Sequence, residues 1–389
     1  MPIQTWTLVD HDQDLYVDQI ALGPEQVGGA SDGYSVVKRT LRAGLSQGVD
    51  VIEVRHGTFR FVVVPTRGMG IWRACLGDLR LGWKSPVRGP VHPAFVRQQH
   101  PDGIGWLDGF DELLVRCGLE SNGAPEFQPD GRLRYGLHGK IANTPAHKVE
   151  VAIDGDSGRI AIRGAVDEAR LFGSKLRLET SIETQVGRPG LIVHDTVTNL
   201  SAAASDFELL YHINFGVPLV QPGAKVSLPV KKLTPRDAVA VADLPTWNLY
   251  GPETPRSAEV CFFMEPVSDV DGNTQVLLHD SAATQGVCLR FNTRQLPCFS
   301  IWKNREAACD GYVTGLEPAT NFPNGNSFEK QMGRVVALNP GQSRNFAVAL
   351  EPLADAAGVH AAATAIAELQ RGTPAEILAQ PDPRWSASK

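Results

Sequence analysis

Two histidines and a glutamate stand out in this chain, each where a strand-like run gives way to a loop. The stretch Tyr135-Gly136-Leu137-His138-Gly139-Lys140-Ile141-Ala142-Asn143 sets His138 among glycines, where backbone or ligand can come close. Glu208-Leu209-Leu210-Tyr211-His212-Ile213-Asn214-Phe215-Gly216 carries His212. Thr314-Gly315-Leu316-Glu317-Pro318-Ala319-Thr320-Asn321 carries Glu317, and Pro318 is expected to end the ladder there. Histidine titrates near neutral pH and a buried glutamate can be tuned upward, so the three make a natural acid/base set. Each also has a plainer reading. A lone histidine after a strand is more often a satisfied structural residue, and a glutamate beside proline often bonds a turn. Their shared place at strand ends in one β-rich chain favours chemistry.

The elements that must position these residues are strands. Val51 to His56 and Thr58 to Pro65 read as a hairpin around His56-Gly57. Lys148 to Ile153 and Arg159 to Gly164 repeat that pattern across Asp154-Gly155-Asp156-Ser157-Gly158. Leu176 to Gln185 returns as Leu191 to Asn199, and further strands follow at Val276–His279, Val287–Phe291, Cys298–Trp302 and Phe346–Leu350. Helical signal is confined to Val359–Gln370, a short turn around Phe110–Leu114 and another near Pro374–Leu378. The expected fold is therefore all-β: a large antiparallel β-sandwich with few short helices and a C-terminal helix. Residues 1–389 read as one domain. A β region at 1–125 adds strands to a main sandwich at 126–352, and 353–389 form a helical tail.

Composition sets the limits. Of 389 residues, 42% are hydrophobic and 21% charged, with a formal net charge of -6, an ordinary globular balance without a basic nucleic-acid surface. Cys75, Cys117, Cys261, Cys288, Cys298 and Cys309 form no C-x-x-C pair and read as reduced, mostly buried residues. The N-terminal run Met1 to Trp6 lacks the basic and apolar regions of a signal peptide, and no run is apolar enough to span a membrane, so the cytoplasm is expected.

At the three polar stretches the chain resembles the aldose 1-epimerase (galactose mutarotase-like) superfamily. Leu137-His138-Gly139 is similar to its His-Gly motif, Tyr211-His212-Ile213-Asn214-Phe215 to its second histidine, and Gly315-Leu316-Glu317-Pro318 to its late glutamate motif. Pro65-Thr66-Arg67-Gly68-Met69-Gly70 takes the place of its early arginine. Trp106 to Gly123 and Asn321-Phe322-Pro323-Asn324 resemble a bacterial aldose 1-epimerase-like branch. The resemblance implies a supersandwich fold and interconversion of sugar anomers. Glu317 would take the anomeric proton, His212 would protonate the ring oxygen, and His138 would assist. Arg67 would hold a hydroxyl or phosphate, with Lys140, Asn214, Glu120, Asn122, Asp108 and Trp83 completing the substrate-binding set. No cofactor is implied. The partner is a small sugar or sugar derivative, and the protein a monomer or homodimer. The family's substrate-orienting aspartate has only Asp243 and Asp280 as candidates.

Two other readings stay open. One is an isomerase, epimerase or lyase of a keto-sugar or uronate, with Lys140 or Glu120 as base, or with a metal on His138, His212, Glu120 and Glu317. No H-E-x-x-H or similar spacing supports that metal, and none is assigned. The other is a non-catalytic carbohydrate-binding protein, with Trp72, Trp83, Trp106, Trp247 or Trp302 stacking on sugar rings.

Overall fold

A computed structural model describes residues 3–387. Met1 and Pro2, part of the N-terminal run read above, and Ser388 and Lys389 of the expected tail lie outside them. Two large antiparallel sheets, of ten and fourteen strands, form the framework of the described residues. Strand alternation explains the layering. In Ser205–Phe215, Leu209, Tyr211, Ile213 and Phe215 enter the core between the sheets with Phe299, Ile301 and Leu316. The residues between them, Leu210, His212 and Asn214, face the other way and are also buried. There Leu210, Val115, Cys117 and Ala319 meet Trp106, Phe110 and Ala142, which come from irregular segments laid over the sheet.

The first 125 residues feed both sheets. Gln4–Asp10 pairs with Lys148–Asp154 in the ten-stranded sheet. Tyr34–Thr40, Asp50–His56, Phe59–Val64 and Gly70–Leu76 extend the larger one, joined to Ser205–Phe215 through Leu114–Leu119.

The structure departs from the sequence reading in four places. The segment around Phe110–Leu114 is not helical. A 3-10 turn spans Gly105–Gly109, and Leu114 opens a strand because it pairs with Ile213. Glu376–Ile377 is a two-residue strand, parallel to Lys232–Leu233, rather than a helical turn. The C-terminal helix starts earlier, at Ala356, where the Asp355 carboxylate accepts from the Gly358 N–H. Pro318 does not end its strand, which runs Val313–Ala319. Its neighbour Ser205–Phe215 pairs at Leu210↔Ala319 and Ile213↔Leu316 but not in between, so the missing proline N–H falls in an interrupted stretch of ladder. Short helices at Pro24–Val27, Ala238–Asp243 and Asn326–Gln331 had no expectation.

Candidate active site

The interrupted ladder is where the chemistry sits. The register that pairs Leu210 with Ala319 and Ile213 with Leu316 sets His212 directly across from Glu317. Their side chains leave the same face, and His212 Nε2 lies 3.2 Å from Glu317 Oε1. Gly315, two residues earlier on that face, leaves the room: a Cβ there would stand 2.4 Å from Glu317 Oε1 and 2.9 Å from His212 Cε1. Asn214, two residues after His212, accepts from His212 Nδ1 at 2.6 Å, and its own amide donates to the carbonyls of Glu112 and His212. Because Asn214 Oδ1 can only accept, Nδ1 carries the imidazole proton and Nε2 presents a lone pair to Glu317.

His138 joins the pair from the irregular segment. It sits in the left-handed region at φ 58, a conformation a side chain other than glycine rarely adopts. Its Nδ1 lies 2.8 Å from the Asn122 carbonyl, which fixes Nδ1 as donor and leaves Nε2 as acceptor. The two imidazoles meet edge to face with ring centres 5.3 Å apart. Trp106 stacks near both, Phe110 and Trp302 flank His212, and Trp83 packs on Phe110.

This apolar wall sets the proton inventory. Burial, reinforced by His138, lowers the His212 pKa to about 3. Burial, reinforced by Glu259 and opposed by Arg236, raises Glu317 to about 8. Burial also lowers His138. Near neutral pH these shifts favour a protonated Glu317 beside a neutral His212. Three buried polar atoms around it lack a hydrogen-bond partner: Glu317 Oε1, the Ser300 hydroxyl, which is Glu317's other cross-strand neighbour, and Trp106 Nε1. At the rim Glu259 accepts from Trp302 Nε1 at 2.7 Å and pairs with Arg236 at 2.8 Å.

His138, His212 and Glu317 are therefore brought together, with Trp83 beside them. The other expected ligand contacts are placed elsewhere. Arg67 is enclosed, its guanidinium committed to Glu112, Asn143 and the carbonyls of Val91 and Gly109, so it braces the covering segment instead of facing a ligand. Asn214 orients His212. Asn122 is fully buried, exchanges amide bonds with Asn321, and acts on His138 through its carbonyl. Asp108 grips Arg97 on the surface through both carboxylate oxygens. Glu120 binds Lys140 at 2.9 Å and Ser174 at 2.6 Å in a different cavity, shared with Arg134 and Lys330. The base and the four-residue metal set that would need Glu120 are thus not assembled, and among the described residues no three His, Cys, Asp or Glu side chains group as metal ligands. Asp243 binds Lys303 and Arg305, and Asp280 closes a surface turn, so neither supplies the orienting aspartate.

Sequence reasoning passed over Gly315, Ser300, Phe110 and the Arg236–Glu259 pair. Gly315 was legible, because i and i−2 share a strand face. Ser300 depends on the register of the preceding strand and Glu259 on contacts with residues far off in sequence, and neither leaves a local signal.

A family model described as Domain of unknown function (DUF4432) matches residues 46–351. No curated protein matches the chain. Among solved structures, a protein of Klebsiella pneumoniae provisionally named an aldose 1-epimerase is 32% identical, with 98% of this chain and 99% of that one covered and a TM-score of 0.95. A galactose mutarotase-like protein of Clostridium acetobutylicum is 17% identical, covering 80% and 97% at a TM-score of 0.54. A galactose mutarotase related enzyme of Lactobacillus acidophilus is 14% identical, covering 78% and 97% at 0.53. The last two share the fold.

Proposed function

The chain belongs to the DUF4432 family and to the aldose 1-epimerase (galactose mutarotase-like) superfamily, and from that premise we propose that it is an isomerase interconverting the anomers of a free sugar in the cytoplasm. The observation that carries the reading is the His212–Glu317 contact, buried and surrounded by unpartnered polar atoms. Unpartnered buried groups cost stability, and a sugar's hydroxyls can satisfy them.

Mutarotation needs one proton donor and one acceptor on opposite ends of the hemiacetal. With the proton on His212, Glu317 takes the hydrogen of the anomeric hydroxyl while His212 protonates the ring oxygen. The ring C–O bond breaks and a carbonyl forms. The pair is then left with the proton on Glu317, the arrangement that burial favours in the empty site. After rotation about C1–C2, Glu317 returns its proton to the carbonyl oxygen as His212 takes one from the ring hydroxyl. The ring closes to the other anomer and the original proton placement is restored. His138 Nε2 accepts a hydrogen bond from a neighbouring hydroxyl, and Trp106, Phe110 and Trp302 exclude water.

The test is anomer exchange followed by NMR saturation transfer, over a panel of free and phosphorylated sugars. One sugar should exchange faster with wild type. Glu317→Gln, which keeps shape and hydrogen-bonding but cannot carry the proton, should slow that exchange by roughly 10²–10⁴-fold. If no sugar exchanges above buffer while one still binds, the site is a binding site and the catalytic reading fails.

A further inference from the structure

Trp83 has a second face. The loop that carries it, 82–89, also walls a cavity of about 510 Å³ whose lining includes Arg60, Arg73, Arg80, Lys84, Arg88 and Asp111. Strand register concentrates the charge. Arg60 pairs with Cys75 and Cys75 with Arg80, so the three share one face across Phe59–Val64, Gly70–Leu76 and Leu79–Leu81. Arg73 precedes Cys75 by two and joins that face, held over the Trp72 ring at 4.0 Å.

These cations are not neutralised. Arg60 has only a distant contact with Glu53, at 3.9 Å. Among the described residues Arg73, Arg80, Lys84 and Arg88 make no ion pair with a carboxylate. Partial burial, then Arg60, Arg39 and Arg80, push the Arg73 pKa down, with Glu53 opposing. This occurs in a chain whose formal net charge is -6.

The cavity also contains an unusual carboxyl. Asp111 is 7% exposed, and its Oδ2 accepts from Trp72 Nε1 at 2.9 Å. Its Oδ1 is buried without a partner. Gly89 admits it: a Cβ there would lie 2.1 Å from Oδ2. Burial, then the neighbouring Glu112, raises its pKa well above the ordinary range.

We propose that this cavity is a binding site for the phosphate group of a small molecule, separate from the His212–Glu317 pair. Arginine guanidinium groups match the oxygens of a tetrahedral anion with paired donors, and Lys84 adds a point charge. The volume has room for a phosphate and the small molecule that carries it. The assignment uses no feature of the acid/base pair, so it stands or falls apart from the proposed isomerase activity.

Isothermal titration of the full-length protein with inorganic phosphate, a sugar phosphate and the free sugar, in chloride at matched ionic strength, tests it. Arg73 and Arg80 are exposed, so Arg73→Gln/Arg80→Gln should keep the wild-type melting temperature in chloride. Both phosphate probes should bind wild type, and the double variant should lose about tenfold affinity or more per arginine. Tighter binding of the sugar phosphate than of phosphate identifies an esterified ligand, and equal binding identifies free phosphate. Lys84→Gln/Arg88→Gln gives an independent repeat. Absence of phosphate binding to wild type, or binding unchanged in both double variants, overturns the proposal.

Discussion

Tyr211 and His212 are consecutive residues of one central strand, both buried, pointing to opposite faces. On Tyr211's side, its hydroxyl donates to Asp195, which also receives two hydrogen bonds from Arg116; Arg116 in turn reaches Thr180 and the Met69 carbonyl. Charge and hydrogen-bonding capacity close on themselves there. On His212's side, the partner carboxyl is protonated, and Glu317 Oε1, the Ser300 hydroxyl and Trp106 Nε1 lack hydrogen-bond partners. Burial alone therefore does not separate architecture from chemistry. Satisfaction does: a closed polar network ties the two sheets together, and an open one awaits a ligand.

The largest expected effect comes from opening the closed side. Asp195→Ala strands a buried guanidinium and the Tyr211 hydroxyl, and should destabilise the protein by about 3–5 kcal/mol. Denaturant titration measures this. A loss under about 1 kcal/mol would mean the network is not closed as described.

On the open side the sign reverses. Glu317 has its folded pKa raised to about 8 from 4.5. In that window the folded state holds a proton that the unfolded state has lost, so Glu317 makes stability fall as pH rises from about 4.5 to 8. Glu317→Gln removes the effect and should stabilise the protein at pH 7 by on the order of 3 kcal/mol. Its advantage over wild type should shrink toward pH 5. A variant that melts below wild type at pH 7 would show that the carboxyl is well satisfied in the empty site.

The activity profile is a gentler probe of the same pair. With pKa values of about 3 and about 8, the pair keeps one proton across neutral pH. The free-enzyme rate parameter kcat/KM should be level around neutrality and fall about tenfold per pH unit above about 8, when the donor is lost. A profile centred on an ordinary histidine pKa would place the essential proton elsewhere.

What the sequence revealed divides along the same line. Period-two alternation made the sheets readable, because a strand's two faces are written locally in its residues. His138, His212 and Glu317 were legible as residue types that move protons, whereas Asn214 was expected to bind substrate and instead orients His212. The roles of Arg67, Asn122, Asp108 and the Lys140–Glu120 pair were not, because a polar residue that closes a network looks the same in sequence as one that meets a ligand. Lys140 is only two positions from His138, yet the left-handed turn at His138 separates their side chains. The facing of His212 and Glu317 depends on a register between distant strands. Pro318 suggests a strand end because it lacks a donor, but the adjacent ladder is interrupted at that point and the strand continues.

The smallest effect tests how the closed and open sides meet. Asn214 is itself satisfied, through the carbonyls of Glu112 and His212, and passes that order to His212 by accepting its Nδ1 proton. Asn214→Ala frees the imidazole to place its proton on Nε2, where it faces Glu317 with a donor instead of a lone pair. The exchange rate should drop roughly 10–100-fold, as when the partner orienting a functional histidine is removed. The loss should appear in kcat more than in KM, since the Asn214 side chain is buried and committed to His212 and the Glu112 carbonyl. The imidazole nitrogen shifts, read by NMR on labelled histidine, should move from the Nδ1–H toward the Nε2–H pattern. A drop in rate with unchanged nitrogen shifts would mean that Asn214 only packs. Asn214→Asp, which still accepts from Nδ1, should recover part of the rate.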